Sequence, residues 1–139
     1  MPRLTRWHLR TGLLWFVVAL LIGVLLAVGP RLALPPGVSS LGPAYFHLLM
    51  VGWVTQLIFG VGFWMFPKYS AERPRGSEAL GWACYGLLNT GLLLRVAAEP
   101  WQSMAPGPLP GVLLAVSAGL QWLAGMAFVV NTWPRLKER

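Results

Sequence analysis

Apolar residues fall into four long blocks along the chain, separated by short stretches rich in proline, glycine and charge. The blocks cover residues 11–28, 44–66, 79–96 and 111–133. A helix of about 20 residues is about 30 Å long, which matches the hydrocarbon thickness of a bilayer. The pattern predicts an all-α fold, an integral membrane four-helix bundle that forms a single transmembrane domain over residues 1–139.

Helix boundaries are indicated by prolines and by one serine. Pro43 and Pro110 stand at the starts of the second and fourth blocks, where a first-turn proline is tolerated. Three further prolines follow blocks and predict helix ends: Pro67, Pro100 and Pro134. Ser77 is a candidate N-cap for the third helix. The third block is the least apolar, because Asn89, Thr90 and several glycines dilute it.

Composition agrees with membrane insertion. Hydrophobic residues make up 56% of the chain, and the mean hydropathy of +0.61 is far above that of a soluble domain. The first block follows three arginines, as the apolar region of a signal peptide does, but its apolar run is long for one. We therefore interpret it as a membrane span.

Lysines and arginines are distributed unequally between the loops. One side has nine of them: Arg3, Arg6, Arg10, Lys68, Arg73, Arg75, Arg135, Lys137 and Arg139. The other side has Arg31 and Arg95. By the positive-inside rule, this asymmetry places the N-terminus and the C-terminus on the cytoplasmic side of the inner (plasma) membrane. The net charge of +7 is thus explained by topology, and we expect no nucleic-acid partner.

Several chemistries are disfavoured by missing residue types. The chain has no Asp, and its four glutamates lie outside or at the edges of the blocks: Glu72, Glu78, Glu99 and Glu138. A proton relay or cation path normally uses a carboxylate within the membrane. Cys84 is the only cysteine, which excludes an internal disulfide and covalent attachment of a c-type haem.

The two histidines lie at opposite ends of the predicted spans. His8 precedes the first block, and His47 lies near the outer end of the second, so about 30 Å separates their depths. Catalysis by this chain alone is therefore not expected. A histidine within a span is a candidate functional residue. His47 is either an interfacial side chain bonded to a neighbour or a ligand of haem iron.

One face of the second helix is predicted to pack closely against another helix. Gly52, Gln56 and Gly60 recur every four residues, and small residues at this spacing let helices approach each other. Asn89, Thr90 and Gln121 are interpreted as hydrogen-bonding groups between helices. This polar and small-residue surface predicts a homodimer or a larger membrane complex.

Residues 45–69, YFHLLMVGWVTQLIFGVGFWMFPKY, resemble the second helix of subunit I of haem-copper oxidases and nitric oxide reductases, and in particular small four-helix proteins related to the cbb3-type subunit. The residues that carry this resemblance are His47, Leu48, Gly52, Trp53, Ile58, Phe59, Gly60 and Pro67. The resemblance implies that His47 ligates the iron of a b-type haem near the outer face. It also implies an N-terminus inside the cell.

The departures from that family limit what the chain could do. A complete subunit I uses about six metal-ligating histidines, so the two here cannot form a binuclear centre. A second axial ligand would come from a symmetric copy, a partner subunit or a methionine; Met104 has a suitable depth, whereas Met50 shares a helix with His47. Arg95 lies at a depth where it could pair with haem propionates or extend to the headgroups. Arg31 is a weaker candidate.

Three functional classes remain open. The first is an accessory or b-haem-binding subunit of a respiratory electron-transfer complex, such as an oxidase or a nitric oxide reductase. The second is a structural membrane subunit without a cofactor. The third is a haem-based gas sensor or small redox protein that uses an open position on iron held by His47.

Overall fold

In a computed structural model, the protein is all-α and contains four long helices. The structure describes residues 1–32 and 34–136, so Lys137 and Arg139 of the predicted charge asymmetry lie outside the described residues. Helix α1 spans Arg3–Leu32, α3 spans Glu78–Met104 and α4 spans Pro108–Thr132. Helix α2 consists of three consecutive segments: Gly42–His47, a π-helical Leu48–Thr55, and Gln56–Met65. Short 3₁₀ turns at Pro36–Leu41 and Trp133–Arg135 complete the chain.

The helices alternate in direction, which brings the two described ends of the chain together. A Cβ on Gly60, late in α2, would lie 2.7 Å from the Cβ of His8, early in α1. The start of α3 also meets this region, since a Cβ on Gly81 would lie 2.6 Å from Leu4. At the end of α4, Asn131 accepts a hydrogen bond from the Ser77 amide at 2.8 Å. We call this end of the bundle the termini end and the opposite end the far end.

Helices α1 and α2 pack along a seam of regularly spaced residues on α2. Five buried residues of α2 follow one another at intervals of four: Ala44, Leu48, Gly52, Gln56 and Gly60. In an α-helix each such step advances about 40° around the axis, so five members would drift off one face. The wider turns of the π-helical segment, with their i→i+5 bonds, offset this drift. The seam therefore continues to face its neighbours.

Helices α3 and α4 form the second close pair. A Cβ on Gly91 of α3 would lie 2.9 Å from Gln121 and 3.1 Å from Leu120 of α4. Nearer the termini end, four buried residues form an apolar cluster between the two helices: Cys84, Leu88, Ala124 and Ala127. The Ser77 side chain caps α3 by accepting a hydrogen bond from the Leu80 amide at 3.2 Å, as the sequence predicted.

The outer surface of the bundle is apolar. Large side chains on α1 and α4 are exposed all along these helices, among them Leu13, Val17, Leu21, Val112, Trp122 and Val130. Three stretches are long and apolar enough to cross a bilayer: Arg3–Leu32, Gly37–Met65 and Pro108–Arg135. Helix α3 does not share this character, because it carries polar and charged side chains along its length. The protein is thus an all-α, four-helix protein with three candidate membrane spans.

Helices α1 and α3 are longer in the structure than the sequence predicted. Helix α3 continues through Pro100 to Met104, so the prediction that Pro100 ends a helix was wrong. Helix α1 contains Pro30 and extends beyond the predicted 11–28 at both ends. A proline inside a helix lacks an N–H and leaves the carbonyl one turn earlier without its helical hydrogen bond. The helix can continue when packing or solvent satisfies that carbonyl. The apolar pattern located these helices but underestimated their length.

Candidate functional site

His47 lies at the far end of the bundle, in the last turn before the π-helical segment of α2. Its Nδ1 is 3.0 Å from the carbonyl oxygen of Pro43 and 3.0 Å from Oε1 of Glu99. Both of these neighbours are acceptors, so Nδ1 carries the proton. In the neutral ring the lone pair is therefore on Nε2. The side chain is 27% exposed, which places this ring at the bundle surface.

Glu99 is the residue that connects α3 to this histidine. Its Oε1 lies between His47 and Nη1 of Arg95, the latter at 3.5 Å. The side chain of Glu99 is only 9% exposed, and its Oε2 is buried without a hydrogen-bond partner. The sequence indicated a carboxylate at the edge of the spans. In the structure it lies inside a continuous helix, facing α2.

Arg95 is held by several groups within the bundle. Its Nε donates to Ser117 Oγ at 3.2 Å, and its Nη2 lies 3.5 Å from the Leu114 carbonyl. Ser117 Oγ in turn donates to the Gly91 carbonyl at 2.7 Å. Arg95 therefore joins α3 to α4 and neutralises Glu99. These contacts occupy donors that the sequence had assigned to haem propionates or headgroups.

Together these residues form a far-end polar cluster, which we define as His47, Arg95, Glu99 and Ser117. A metal-binding histidine usually donates its other ring N–H to a carboxylate or a carbonyl, which fixes its orientation. His47 has both kinds of acceptor at Nδ1 and keeps Nε2 for a ligand. The donor set thus fits one axial imidazole of a haem.

Sequence reasoning missed Glu99 and Ser117 as members of this cluster. The four-residue spacing of Arg95 and Glu99 on a helix is a signal for an ion pair, but it was masked by the expected helix end at Pro100. Ser117 offered no signal of its own, because a single serine in an apolar helix usually bonds within its own helix.

The predicted packing face on α2 is occupied within the chain. A Cβ on Gly52 would lie 2.9 Å from both Trp15 and Leu92, and Gln56 is fully buried against α1. Gly60 contacts His8, as described above. This face consequently leaves no room for a partner helix and does not itself argue for assembly.

The predicted inter-helix polar groups have different surroundings. Asn89 accepts a hydrogen bond from Trp15 of α1 at 3.0 Å. Gln121 donates to Ser117 on its own helix at 3.1 Å, and Thr90 is exposed. Only Asn89 makes a hydrogen bond of the predicted kind.

The remaining ligand candidates lie in different surroundings. Met50 and Met104 are both largely exposed, and Arg31 donates to the Ala27 carbonyl of its own helix at 3.3 Å. His8 lies at the termini end. Among the described residues, no three or more His, Cys, Asp or Glu side chains are grouped to hold a metal ion.

Comparison with protein-family models, with characterised proteins and with solved structures finds no match. The class of protein therefore rests on the fold alone. The apolar exterior and the three candidate spans define a multi-pass α-helical membrane protein in contact with a lipid bilayer.

Proposed function

We propose that this chain is a b-haem-binding membrane subunit associated with respiratory electron transfer, in which His47 supplies an axial ligand to the haem iron. The observation that carries the proposal is the arrangement at Nδ1 of His47, which is bound by the Pro43 carbonyl and by Glu99. The resemblance of residues 45–69 to a haem-ligating helix supports it. Haem bound here would supply one-electron transfer.

The residues of this chain would orient one ligand and leave the second to another molecule. Glu99 and Pro43 fix the imidazole ring, and the Arg95 pair keeps the carboxylate in place. His47 lies at the bundle surface, so a two-fold axis normal to the membrane would bring two copies of it to the same depth. We propose that a second copy or a partner subunit completes the coordination.

The proposed topology has four spans with both termini in the cytoplasm. Helix α2 ends at the termini end, and α4 begins at the far end. Arg95 of α3 is hydrogen-bonded to Ser117 in the half of α4 nearer the far end. If α2 and α4 cross the bilayer, α3 must cross it as well. At about 40 Å, its 27 residues are long enough. The excess of Lys and Arg at the termini end supports the cytoplasmic assignment of that end.

A structural subunit without a cofactor is the alternative. It is favoured by the hydrogen bonds of Arg95, which hold α3 to α4 and engage its Nε, Nη1 and Nη2 within the chain. On this account the His47–Glu99 contact only joins α2 to α3. A gas sensor with an open iron position would need the same His47 ligation as the leading proposal.

The first test is an optical spectrum of the protein purified from haem-replete cells. We expect a Soret band, haem extractable by acid-acetone, and one haem for every two chains if a symmetric pair provides both ligands. His47→Ala should abolish or strongly alter the band. His8→Gln is the matched control, because it changes the other histidine at the opposite end and should leave the spectrum unchanged.

A second arm of this test concerns Glu99. Glu99→Gln keeps the shape of the side chain but removes the charge that orients His47, and loss of such a partner typically weakens metal binding about 10- to 100-fold. Glu72→Gln, in the exposed loop, is the control. Wild-type protein without Soret absorption would overturn the haem proposal and favour the structural alternative.

A further inference from the structure

Buried polar atoms without hydrogen-bond partners are concentrated near the termini end of the α1–α2 seam. Of the six such side-chain atoms among the described residues, four lie here: Thr5 Oγ1, His8 Nε2, and Oε1 and Nε2 of Gln56. The other two are Glu99 Oε2 and Gln102 Oε1. Thr5 and Gln56 are 0% exposed and His8 is 2% exposed. Thr5, His8 and Gln56 do not belong to the far-end polar cluster, so their unpartnered atoms call for a separate explanation.

These three residues lie on neighbouring turns of the α1–α2 seam. Gly60 packs against His8 and against the Thr5 backbone, and Gly12 packs against Gln56. His8 and Gly12 are four residues apart on α1, and Gln56 and Gly60 are four apart on α2, so each pair shares a helix face. The unpartnered atoms of α1 and α2 therefore lie within about one helical turn of each other along one seam.

The seam cannot stay dry without a large penalty. A buried amide or imidazole that makes no hydrogen bond loses the full benefit of its hydration, and a surrounding bilayer offers no water as a substitute. In native proteins such groups are almost always satisfied by protein atoms or by ordered water. Here the nearby protein atoms do not satisfy them.

The donor and acceptor pattern identifies the missing partner. His8 Nδ1 donates to the Leu4 carbonyl at 3.2 Å, so Nε2 of the neutral ring is an acceptor. Gln56 offers an acceptor and a donor, and the Thr5 hydroxyl offers both. Water donates two hydrogen bonds and accepts others, which suits this mixed set, whereas a metal cation would leave the Gln56 amide donor unpaired.

We propose that Thr5, His8 and Gln56 form an internal hydration site that holds ordered water between α1 and α2. Its neighbour on α3 is Tyr85, whose ring centroid lies 5.1 Å from that of His8 and whose hydroxyl is hydrogen-bonded to Thr11 at 2.8 Å. Farther toward the far end, the seam is closed by a buried apolar cluster of Ala19, Leu48 and Leu92. The site is thus polar on one side and closed by apolar packing on the other.

Water-edited solid-state NMR of the protein in lipid bilayers tests this site directly. Magnetisation should pass from water to the side chains of His8 and Gln56 early in the mixing period. Leu48 and Leu92, equally buried but in the apolar cluster, serve as the internal control and should receive it several-fold more slowly. Equal, slow transfer at all four side chains would overturn the proposal.

Gln56→Met gives an independent test, because a hydrated site and a dry site predict changes in Tm of opposite sign. If water bridges the amide, replacing it with a thioether of similar length removes hydrogen bonds, and the Tm should fall by about 5 °C. If the amide is unpaired, its removal relieves a penalty, so an unchanged or higher Tm counts against hydration. Ile58→Met, on the exposed face of α2, is the control and should leave the Tm unchanged.

Discussion

At the scale of single residues, Arg135 shows how a charge can change its role on folding. In the sequence it is one of nine basic residues from which the positive-inside rule predicts the cytoplasmic face. In the structure its side chain is buried, and its guanidinium donates to the carbonyls of Pro67 at 2.9 Å, Phe63 at 3.1 Å and Phe66 at 2.7 Å. The last carbonyls of a helix lack intrahelical partners and attract cations. Arg135 therefore caps α2.

This role predicts that Arg135→Ala destabilises the protein. The change leaves three carbonyls without their charged donor, and we expect the free energy of unfolding to fall by about 2–4 kcal/mol. Arg135→Lys should restore only part of this, because an ammonium lacks the planar fork of donors. Unfolding in mixed detergent micelles measures the effect. Arg6→Ala, on an exposed arginine of the same end, should change little; equal losses for the two alanine variants would contradict the capping role.

At the scale of elements, the α1–α2 seam determines how closely these helices approach. Gly52 and Gly60 provide space for Trp15 and His8, and their missing Cβ atoms allow near-contact between the helices. The sequence predicted a close-packing face from the four-residue spacing of small residues. The sequence could not predict that α1 would pack against this face, because the spacing of small residues on α2 does not identify the helix that contacts them.

The seam predicts unequal effects for two glycine substitutions. Gly60→Ala places a methyl group 2.7 Å from the Cβ of His8, so the helices must separate, at a cost of about 1–3 kcal/mol. Gly86→Ala lies in α3 with no atom within 4 Å of the new Cβ, and should be neutral or stabilising by up to about 1 kcal/mol through helix propensity. The same micelle unfolding assay compares them. If Gly60→Ala is as well tolerated as Gly86→Ala, the close contact is wrong.

At the scale of the whole molecule, the side of the membrane on which each loop lies depends on whether α3 crosses the bilayer. Helix α3 carries Asn89, Arg95 and Glu99, which lower its apolar character. These groups point to partners on other helices rather than to lipid, with Trp15, Ser117 and His47 as their contacts. A helix whose polar side chains pair with other helices in this way can cross a bilayer among more apolar neighbours.

Reporter fusions test this topology. Fusions near Arg75 and after the last residue should both report the cytoplasm, and a fusion near Gly107 should report the opposite side, because four crossings return the chain to its starting side. The positive-inside rule supplies the direction. A cytoplasmic signal near Gly107 would show that α3 does not cross, whereas an external C-terminus would overturn the orientation.

The far-end polar cluster was only partly predictable. His47 and Arg95 stood out because titratable and charged groups are rare in apolar spans. Glu99 did not, because the proline after it indicated a helix end and hence a position in a loop. The unpartnered atoms of Thr5, His8 and Gln56 were also hidden, since burial and hydrogen bonding depend on which helices meet.

The sequence by itself determined the class, the number of helices and their approximate positions, because these follow from the lengths of apolar blocks and from local capping signals such as Ser77. Only the tertiary structure decided which polar residues meet: His47 with Glu99, Arg135 with the end of α2, and Gln56 with α1. These contacts join residues far apart in the chain, and helix spacing alone does not encode the partner, the rotation or the depth at which two helices pack. The chemistry of this protein therefore depends on contacts between helices whose individual patterns are mostly apolar.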